Sequence, residues 1–439
     1  MVASRYWLAV HRAAVAGLLL ALAFATAMGT AFAPPAAAKT KITIMVPTYQ
    51  WYFEYLQEQA KAYQAQHPEV AIDFDAVSGP VNDEVLVRVA SGMTPDILVL
   101  GNVSDQRIRA LLDQLAYDLG PIVKKDRDIK LTDFYPTIVQ AFTHKGMLVG
   151  IPIEVSTSAT FANKTLFDES GVPLPDEGWD WNDLVRIATK LTKVNPSTQQ
   201  VTQWGFGADG YSLIYLGVAS FLWANDADIV DSTQTTATLN RPRAIQALQF
   251  FYDIHFKNKV AYPPRAAQYQ AFWNGQIAIW ESATWNIAYN RQKARKDLDW
   301  DIIPQLCSPY TGKAAALVTG HTIAVTRTTK NPELAWDFIK YAILSRQGQE
   351  KVAQEGMLPP IMAAAPYYLA IMKAPPTNVK QVIRSAGFGR TAVWFDDPEK
   401  NKKIWEAVEK KWDLVMQQKL DVASFAQEAD AEVNALLKK

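Results

Sequence analysis

The chain has 439 residues, with 44 lysines and arginines balanced by 44 aspartates and glutamates. This balance gives no basic surface, so neither nucleic acid nor an anionic membrane is expected as a partner. Cys307 is the only cysteine, which excludes an internal disulfide. Stability must therefore come from burial of apolar side chains, and the length is sufficient for two or three cores. No reactive-thiol motif surrounds Cys307, so we expect it to be a small buried side chain.

The first 38 residues have the three parts of a secretory signal peptide. Arg5 and Arg12 precede the uncharged run AAVAGLLLALAFATAMGTAFA, and small-residue cleavage sites follow at Ala33 and Ala38. A retained membrane anchor is the alternative, because about 20 apolar residues span a bilayer. Pro34 and the alanines around it favour cleavage, and no cysteine lies near either site to carry a lipid. We therefore predict a periplasmic protein that is not a lipoprotein and that has 42 basic and 44 acidic residues after cleavage.

Strands and helices alternate in the part of the chain that follows. Apolar and β-branched runs predict strands at 41–47, 70–77 and 97–100, with helices at 51–66 and in VNDEVLVRVASG, which Asn82 caps and Gly92 ends. Strand, helix and strand joined by a right-handed crossover give parallel strands. The run ILVL is apolar on both faces, as in a buried parallel strand. Residues 41–150 are therefore expected to form an α/β lobe with a doubly wound sheet.

A long extended stretch, LVGIPIEVSTSATFAN at 148–163, interrupts this alternation and suits a connection between two lobes. Further helices are predicted in WNDLVRIATKLTK, opened by Asp180 to Asp183, in 211–223, 243–256 and 331–344, and twice after Lys400. Further strands are predicted at 300–306 and 321–327. No internal repeat or low-complexity linker is present, so the two lobes are expected to be interleaved in sequence.

Catalytic and cofactor motifs are mostly absent. The five histidines, at 11, 67, 144, 255 and 321, are scattered, and the sequence has no HExxH, Cys/His pair or GxSxG elbow. GFGADG at 205–210 matches GxGxxG, but the polar TQQVTQW before it is not the central strand that a dinucleotide site requires, so we expect a glycine-rich loop. The acid pairs Asp73 with Asp75 and Asp226 with Asp228 could in principle serve glycosidase chemistry. No metal or cofactor is expected.

Several motifs together resemble a known family in their order and spacing. They are SGMTPDILVL, GMLVGIPIEVSTSATFANKTLFDESGVPLP, GWDWNDLVRIATKLT, FWNGQIAIWESATW, TGHTIAVTRTTKNPELAWDFIKYAILS and GMLPP. The chain resembles, over roughly residues 41–439, the extracellular solute-binding proteins of family 1, the maltose-binding-protein-like sugar-binding subunits of ABC importers. Three positions depart from the family: Ala162 stands where tyrosine is usual, Ile279 replaces methionine, and Glu281 replaces glycine or aspartate.

This resemblance implies an α/β fold of two lobes, the periplasmic-binding-protein fold, with a hinge of three crossings and the ligand between the lobes. The crossings are expected near Glu154 to Ser158, Ile302 to Leu306 and Met357 to Ile361. The N-terminal lobe is then expected to comprise 39–154 and 302–357, and the C-terminal lobe 155–301 and 358–439. Ligands of open α/β sheets bind beyond the carboxyl ends of the strands.

Candidate ligand-binding residues lie at those strand ends and in later helices and loops. They are Tyr49, Trp51, Asn102, Glu154, Trp223, Asn225, Asp226, Trp280, Glu281, Trp285, Gly320, His321, Arg390, Trp394 and Trp405. In FWNGQIAIWESATW the expected strand is Gln276 to Ile279, so Trp280 and Trp285 would lie past its end. There an indole would pack on the C–H face of a pyranose and Glu281 would accept hydroxyl hydrogen bonds. Burial of both indoles in the core is the competing interpretation.

The expected function is capture of a mono- or oligosaccharide and its delivery, by a monomer, to the membrane permease subunits of an ABC importer. An exported enzyme acting on polysaccharide is the main alternative, and a membrane-tethered adhesin or scaffold is another. A binding protein leaves its ligand unchanged, whereas an enzyme releases products. The sequence leaves open which sugar is bound and whether an acidic group is recognised.

Overall fold

The computed structural model describes residues 39–438, apart from residues 49, 80, 214, 265 and 396. The predicted signal peptide, residues 1–38, lies outside the described residues, as does Tyr49. Within the described ranges, no helix is both long enough and apolar enough to cross a membrane.

The described chain contains thirteen strands. They are β1 (Thr40–Pro47), β2 (Val70–Val77), β3 (Ile97–Asn102), β4 (Thr143–His144), β5 (Met147–Leu148), β6 (Ile151–Pro152), β7 (Ser156–Asn163), β8 (Lys193–Val194), β9 (Val201–Ala208), β10 (Ile277–Ala283), β11 (Trp300–Ile303), β12 (Val318–Thr319) and β13 (His321–Val325).

Helices cover both faces of the sheets that these strands form. They are α1 (Tyr52–Gln66), α2 (Val81–Ala90), α3 (Gln106–Leu115), α4 (Gly120–Lys125), α5 (Pro136–Ala141), α6 (Lys164–Glu169), α7 (Trp181–Leu191), α8 (Val218–Ala224), α9 (Pro242–Phe256), α10 (Gln268–Trp273), α11 (Asn286–Lys293), α12 (Pro332–Ile339), α13 (Arg346–Gln354), α14 (Ala365–Ile371), α15 (Lys380–Phe388), α16 (Pro398–Met416) and α17 (Val422–Leu437). Short 3₁₀ turns lie at Leu131–Asp133 and Met362–Ala364, and a π-helical turn at Lys340–Leu344 continues α12.

The first sheet has the strand order β2-β1-β3-β13-β6, and we call it, with the helices packed on it, the N-terminal lobe. β1 runs parallel to both β2 and β3, as the strand and helix alternation predicts. β13 is antiparallel to β3 and β6, although it follows them by a long stretch of sequence. The predicted strands and crossover helices of this lobe are confirmed, except that α2 begins at Val81 rather than after an Asn82 cap.

The second sheet has the strand order β11-β7-β10-β9-β8 and forms the C-terminal lobe. Its strand β9 contains GFGA of the segment expected to be a glycine-rich loop, so that expectation is wrong. A Cβ atom on Gly205 would lie 2.1 Å from the Ala188 carbonyl oxygen of α7, and one on Gly207 would lie 2.5 Å from Oε1 of Gln268 in α10. The two glycines therefore allow α7 and α10 to pack directly against the strand.

The segment after β9 also differs from its expected structure. Only α8 of the predicted helix at 211–223 is helical. Gly217, just before α8, has φ of 99°, and a Cβ atom there would lie 2.7 Å from the Gly210 carbonyl oxygen. This turn leaves residues 209–213 and 215–217 outside any helix, at the carboxyl end of β9. By contrast, the capping of α7 is confirmed, because Asp180 accepts from the backbone N–H groups of Asn182 and Asp183.

The chain passes between the two sheets close to Glu154 and Gly320. β6 belongs to the first sheet and β7 to the second, while β12 pairs with β7 and β13 returns to the first sheet. The return therefore lies at Gly320 and not at Ile302 to Leu306, where β11 still pairs with β7. Near the expected third crossing, Met357 to Ile361, Leu358 pairs with Val155. Helix α14, which follows this segment, still packs on α13 of the N-terminal lobe.

The two passages at Glu154 and Gly320 are in direct contact. A Cβ atom on Gly320 would lie 2.2 Å from the Glu154 carbonyl oxygen, so no side chain fits there. The Glu154 side chain is fully buried, and its Oε1 accepts from the backbone N–H of His321 at 3.0 Å and pairs with Nδ1 at 2.7 Å. Burial acts to lower the pKa of His321, but the charge and hydrogen bond of Glu154 outweigh it and raise the pKa. Glu154, Gly320 and His321 thus hold the two passages between the lobes side by side.

Trp280 lies inside strand β10 rather than beyond its end. Its ring is fully buried, with ring centroids 5.4 Å from Phe161 and 5.1 Å from Phe272. Trp285 follows the strand and is only partly buried. The expectation that Trp280 contacts a ligand is therefore wrong, because β10 extends to Ala283 and turns the Trp280 indole into the core.

Trp280→Ala is expected to lower the free energy of unfolding by about 3 to 5 kcal/mol, because it leaves a large cavity among aromatic rings. Trp285→Ala is expected to cost less, since its ring is only partly buried. Urea-induced unfolding of both variants measures the difference. Equal losses of stability in the two variants would contradict this assignment.

His321→Gln should reduce the dependence of stability on pH above about pH 6.5. The pKa of His321 is higher in the folded protein than the value of 6.5 in the unfolded chain. The charged pair with Glu154 therefore contributes its full stabilisation to the folded protein below pH 6.5, and this stabilisation is lost as the pH rises through the folded pKa. Unfolding free energies measured from pH 6 to about pH 9 should therefore fall more steeply for the natural protein than for the variant. Parallel profiles of unfolding free energy against pH for the two proteins would show that Glu154 does not raise the pKa of His321.

Candidate ligand-binding cleft

A cavity of about 960 Å³ lies between the two lobes, at the carboxyl ends of β3 and β9. The N-terminal lobe contributes the end of β3 and the first turns of α3, and the C-terminal lobe contributes the loop after β9 and one face of α16. The lining residues are Asn102, Ser104, Asp105, Gln106, Arg107, Ala110, Gln114, Ser212, Tyr215, Asp397, Pro398, Glu399, Lys402, Glu406 and Glu409. We call this cavity the cleft.

Asn102, the last residue of β3, organises the N-terminal side of the cleft. Its Oδ1 accepts from the backbone N–H of Ser104 at 2.9 Å and from the hydroxyl of Thr319, and Ser104 Oγ in turn donates to Thr319 Oγ1 at 2.8 Å. Because Thr319 precedes Gly320, this network joins the cleft to the passage between the lobes. Asn102 Nδ2 donates to the Tyr215 hydroxyl of the other lobe at 3.2 Å.

Tyr215 and Trp285 form an aromatic pair on the C-terminal side. Their rings are nearly parallel, with an angle of 14° and centroids 6.0 Å apart. Burial raises the pKa of Tyr215, and the nearby charges of Asp209 and Asp105 raise it further. The phenol therefore stays neutral, and its hydroxyl can donate to a ligand while it accepts from Asn102.

Helix α16 fixes the position of the loop that carries Tyr215. Glu409 accepts from Ser212 Oγ at 2.8 Å and from the backbone N–H of Leu213 at 2.9 Å. Asp397 caps α16 by accepting from the backbone N–H groups of Glu399 and Lys400. The C-terminal wall of the cleft is therefore a loop supported by a long capped helix.

Of the predicted ligand-binding residues, Asn102 lines the cleft and Trp285 stacks behind Tyr215. Trp51, partly buried at the start of α1, packs on Tyr52 and Tyr55.

Asp226 and Arg390 line a second cavity, of about 1040 Å³, instead of the cleft, and Trp223 packs beside Arg390. Arg390 donates to Asp228 at 2.9 Å, and its guanidinium lies 5.6 Å from the centre of the Trp223 ring. Asp226 is exposed and forms an ion pair with Lys313 at 2.8 Å. None of the three residues lines the cleft, and their contact with a ligand stays a prediction.

Trp394 holds the same segment of chain against the N-terminal lobe. Its ring stacks on His144 with centroids 4.1 Å apart, and the Arg109 guanidinium lies 5.0 Å from it. Arg109 is buried, which lowers its pKa to about 9, and it donates to the carbonyl oxygens of Ala392 and Val393. Trp394 therefore packs between the lobes and lines the second cavity instead of the cleft.

Asn225 and Trp405 are also interior residues of the C-terminal lobe. Asn225 is fully buried, and it accepts from Ser308 Oγ at 2.6 Å and donates to the Arg243 carbonyl oxygen at 2.7 Å. Trp405 is 4% exposed and packs on Phe395. Neither residue lines the cleft, because burial in the C-terminal lobe encloses both side chains.

Glu281 points into the interior of the C-terminal lobe. Its carboxylate accepts a hydrogen bond from Ser220 and lines a very small cavity with Trp181, Phe221 and other residues. Burial raises the pKa of Glu281 to about 7, although the Ser220 hydrogen bond acts to lower it. Glu281 is therefore not placed to accept hydrogen bonds from a ligand in the cleft.

Ser104, Tyr215, Glu406 and Glu409 line the cleft but were not among the predicted residues. Ser104 follows β3 closely, so the strand-end rule could have included it. Tyr215 follows β9, which was missed because its first half, VTQW, is polar. The two glutamates lie on an amphipathic helix, where the sequence does not reveal which polar face borders a cavity. Among the described residues, no cluster of three or more His, Cys, Asp or Glu is suited to hold a metal ion.

Glu281→Gln should stabilise the protein at pH 8 by up to about 3 kcal/mol and should have little effect near pH 4.5. The pKa of Glu281 is higher in the folded protein than in the unfolded chain, so ionisation of the carboxyl favours the unfolded chain. The resulting loss of stability grows from about pH 4.5 to about pH 7 and stays constant above pH 7. Unfolding free energies at the two pH values test this. The exposed Glu432→Gln provides the control, and a similar gain in that variant would contradict the assignment.

Comparison with known proteins places these features in a family. The model of the family described as bacterial extracellular solute-binding protein matches residues 52–349. The arabinooligosaccharide-binding protein of Bacillus subtilis is 24% identical over 318 residues, which are 69% of this chain and 70% of that protein. The mannitol-binding protein of Pseudomonas aeruginosa is 22% identical over 336 residues, 73% of each chain.

The fold is shared with a solved structure of the same kind. The sugar-binding protein MalE from Xanthomonas citri superimposes with a TM-score of 0.75 at 18% identity, and the match covers 91% of this chain and 98% of that one. This likeness confirms the two-lobed α/β fold. The match to the family model extends over more than half of the chain, from α1 into α13. The chain belongs to the bacterial extracellular solute-binding proteins.

Proposed function

We propose that this protein captures a carbohydrate in the cleft between its two lobes and delivers it to the permease subunits of an ABC importer. The observation that carries this proposal is the cross-lobe contact between Asn102 and Tyr215, at the edge of a cavity of about 960 Å³. A ligand beside this contact would touch both lobes at once. Such a ligand favours the closed arrangement by its differential affinity, and a permease can then distinguish the loaded protein by its shape.

The chemistry of the cleft suits a polyhydroxylated ligand. Asn102, Ser104 and Tyr215 supply amide and hydroxyl groups that both donate and accept, as sugar hydroxyls do. The Tyr215 and Trp285 pair supplies an aromatic surface for the C–H face of a sugar ring. The volume is within the range of small-molecule sites. The relatives are named as binding proteins for arabinooligosaccharide, for mannitol and for sugar, and these names support a carbohydrate as the ligand.

The division into lobes that we propose follows the two sheets. The N-terminal lobe comprises residues 39–154 and 320–371, and the C-terminal lobe comprises 155–319 and 380–438. Residues 372–379 then form the third connection between the lobes. Before this segment, α14 packs on α13 of the N-terminal lobe, and after it, α16 packs on α17 of the C-terminal lobe. We further propose that residues 1–38 direct export to the periplasm and are removed, and that the protein acts as a monomer.

An exported enzyme is the less favoured alternative. The candidate acid pairs are engaged in ion pairs on the lobes: Asp73 with Lys41, Asp75 with Arg88, and Asp226 with Lys313. None of these residues lines the cleft. We therefore propose binding without turnover.

The test is a titration of the mature protein, residues 39–439, with monosaccharides, mannitol, and arabino- and malto-oligosaccharides. Tryptophan fluorescence and the melting temperature should change saturably for at least one compound, and chromatography should recover that compound unchanged. Tyr215→Ala should weaken its binding by roughly 1 to 3 kcal/mol, because both an aromatic surface and a hydroxyl are lost.

Tyr289→Ala is the matched control, because Tyr289 is 52% exposed and outside the cleft. It should bind as the natural protein does. Normal binding by Tyr215→Ala would contradict the site, and accumulation of products that survives repurification would contradict the function.

A further inference from the structure

The cleft carries a marked excess of negative charge. Its described lining residues include five carboxylates and two cations, which leaves a net charge of minus 3. The carboxylates are those of Asp105, Asp397, Glu399, Glu406 and Glu409, and the cations are those of Arg107 and Lys402. The mature chain as a whole is almost neutral, with 42 basic and 44 acidic residues. The excess is therefore concentrated in the cleft.

Both cations lie beside carboxylates of the same cavity. Arg107 donates to both carboxylate oxygens of Asp105, at 3.3 Å from Nε and 2.8 Å from Nη2. The Lys402 ammonium lies 3.9 Å from a Glu406 carboxylate oxygen. An anionic ligand would have to compete with these carboxylates for either cation.

Two of the other three carboxylates accept hydrogen bonds from uncharged groups, and the third has a cation outside the lining. Asp397 binds backbone N–H groups at the start of α16, and Glu409 binds Ser212 and Leu213. Glu399 has a cation nearby in Lys403, at 3.4 Å, but Lys403 does not line the cavity. Asp209 adds a further carboxyl close to Tyr215, beneath the aromatic pair.

From this arrangement we infer that the cleft selects a carbohydrate that carries a protonated amino group over its neutral counterpart, and rejects one that carries a carboxylate or phosphate. The inference rests on the proposed function and specifies its ligand class. An ammonium group would gain from the surplus carboxylates and can donate three hydrogen bonds to them. A uronate or sugar phosphate would add negative charge where no unpaired cation of the described lining can receive it.

The experiment compares glucosamine, glucose and glucuronate, and the corresponding galactose series, each as monosaccharides and as β-linked disaccharides. Affinities are measured by calorimetry on the mature protein at about 20 mM and about 300 mM salt, because exposed charges are screened at the higher value. At low salt the amino sugar should bind about fivefold more tightly than the neutral sugar, and the uronate at least about fivefold more weakly. Both ratios should shrink at high salt.

Paired variants assign the effect to the cleft. The double variant Glu399→Gln with Glu406→Gln changes the net charge of the described lining from minus 3 to minus 1 and leaves the helix cap and the Tyr215 loop intact, so the amino-sugar preference should fall below about twofold. Glu428→Gln with Glu432→Gln makes the same charge change on α17, beside Lys411 and outside the cleft, and should leave the preference unchanged. Thermal melts establish that both variants are folded.

Equal affinity for the amino and neutral sugars, or binding of a uronate at least as tight as that of its neutral sugar, would overturn the inference and leave the proposed function standing. An unchanged preference in the Glu399 and Glu406 variant would also overturn it. If no sugar of either series binds and the broader carbohydrate panel also fails, the proposed function falls and the inference with it.

Discussion

The close contact between Gly320 and Glu154 determines how the two lobes meet and where the cleft lies. The backbone of Gly320 approaches the Glu154 carbonyl so closely that a Cβ atom would be 2.2 Å from it. A buried carboxylate is costly unless it is hydrogen-bonded, and His321 supplies two donors to Glu154 Oε1. Thr319, on the other side of Gly320, binds Asn102 and Ser104 at the edge of the cleft. The passage between the lobes and the cleft are thus parts of one hydrogen-bonded network.

A second set of contacts also bridges the lobes. Arg390 binds Asp228 on the C-terminal lobe, and four residues later Trp394 packs on His144 and Arg109 of the N-terminal lobe. These aromatic and charged side chains resemble ligand-binding groups in sequence but are occupied by one another. The side chains that line the cleft are mostly polar or charged, apart from Tyr215, Ala110 and Pro398.

The sequence predicts the elements of this fold well and its site only in part. Strands β1 to β3 and helix α7 are apparent from periodicity and capping, because local physical preferences agree with their tertiary environment. Strand β9 was missed because Gly205 and Gly207, which read as a loop, are required by the close packing of α7 and α10. That constraint arises between segments distant in the sequence.

The candidate residues near the ends of strands also show that tertiary packing cannot be predicted from local sequence. Asn102 was found because it ends an unambiguous strand. Trp280 was misplaced because β10 ends at Ala283, four residues beyond its expected end at Ile279, and the Trp280 side chain then faces the core instead of the cleft. Burial, rather than residue type, separates Trp280 from Trp285, and burial depends on where each strand ends.

The central claim is that a carbohydrate bound in the cleft draws the two lobes together about the passage at Glu154 and Gly320. Small-angle X-ray scattering of the mature protein, with and without a saturating concentration of a sugar shown to bind by calorimetry, measures this directly. We predict a smaller radius of gyration in the presence of the sugar, and a decrease that requires a higher sugar concentration in Tyr215→Ala than in the natural protein. Superimposable scattering profiles of the natural protein with and without the bound sugar would contradict it.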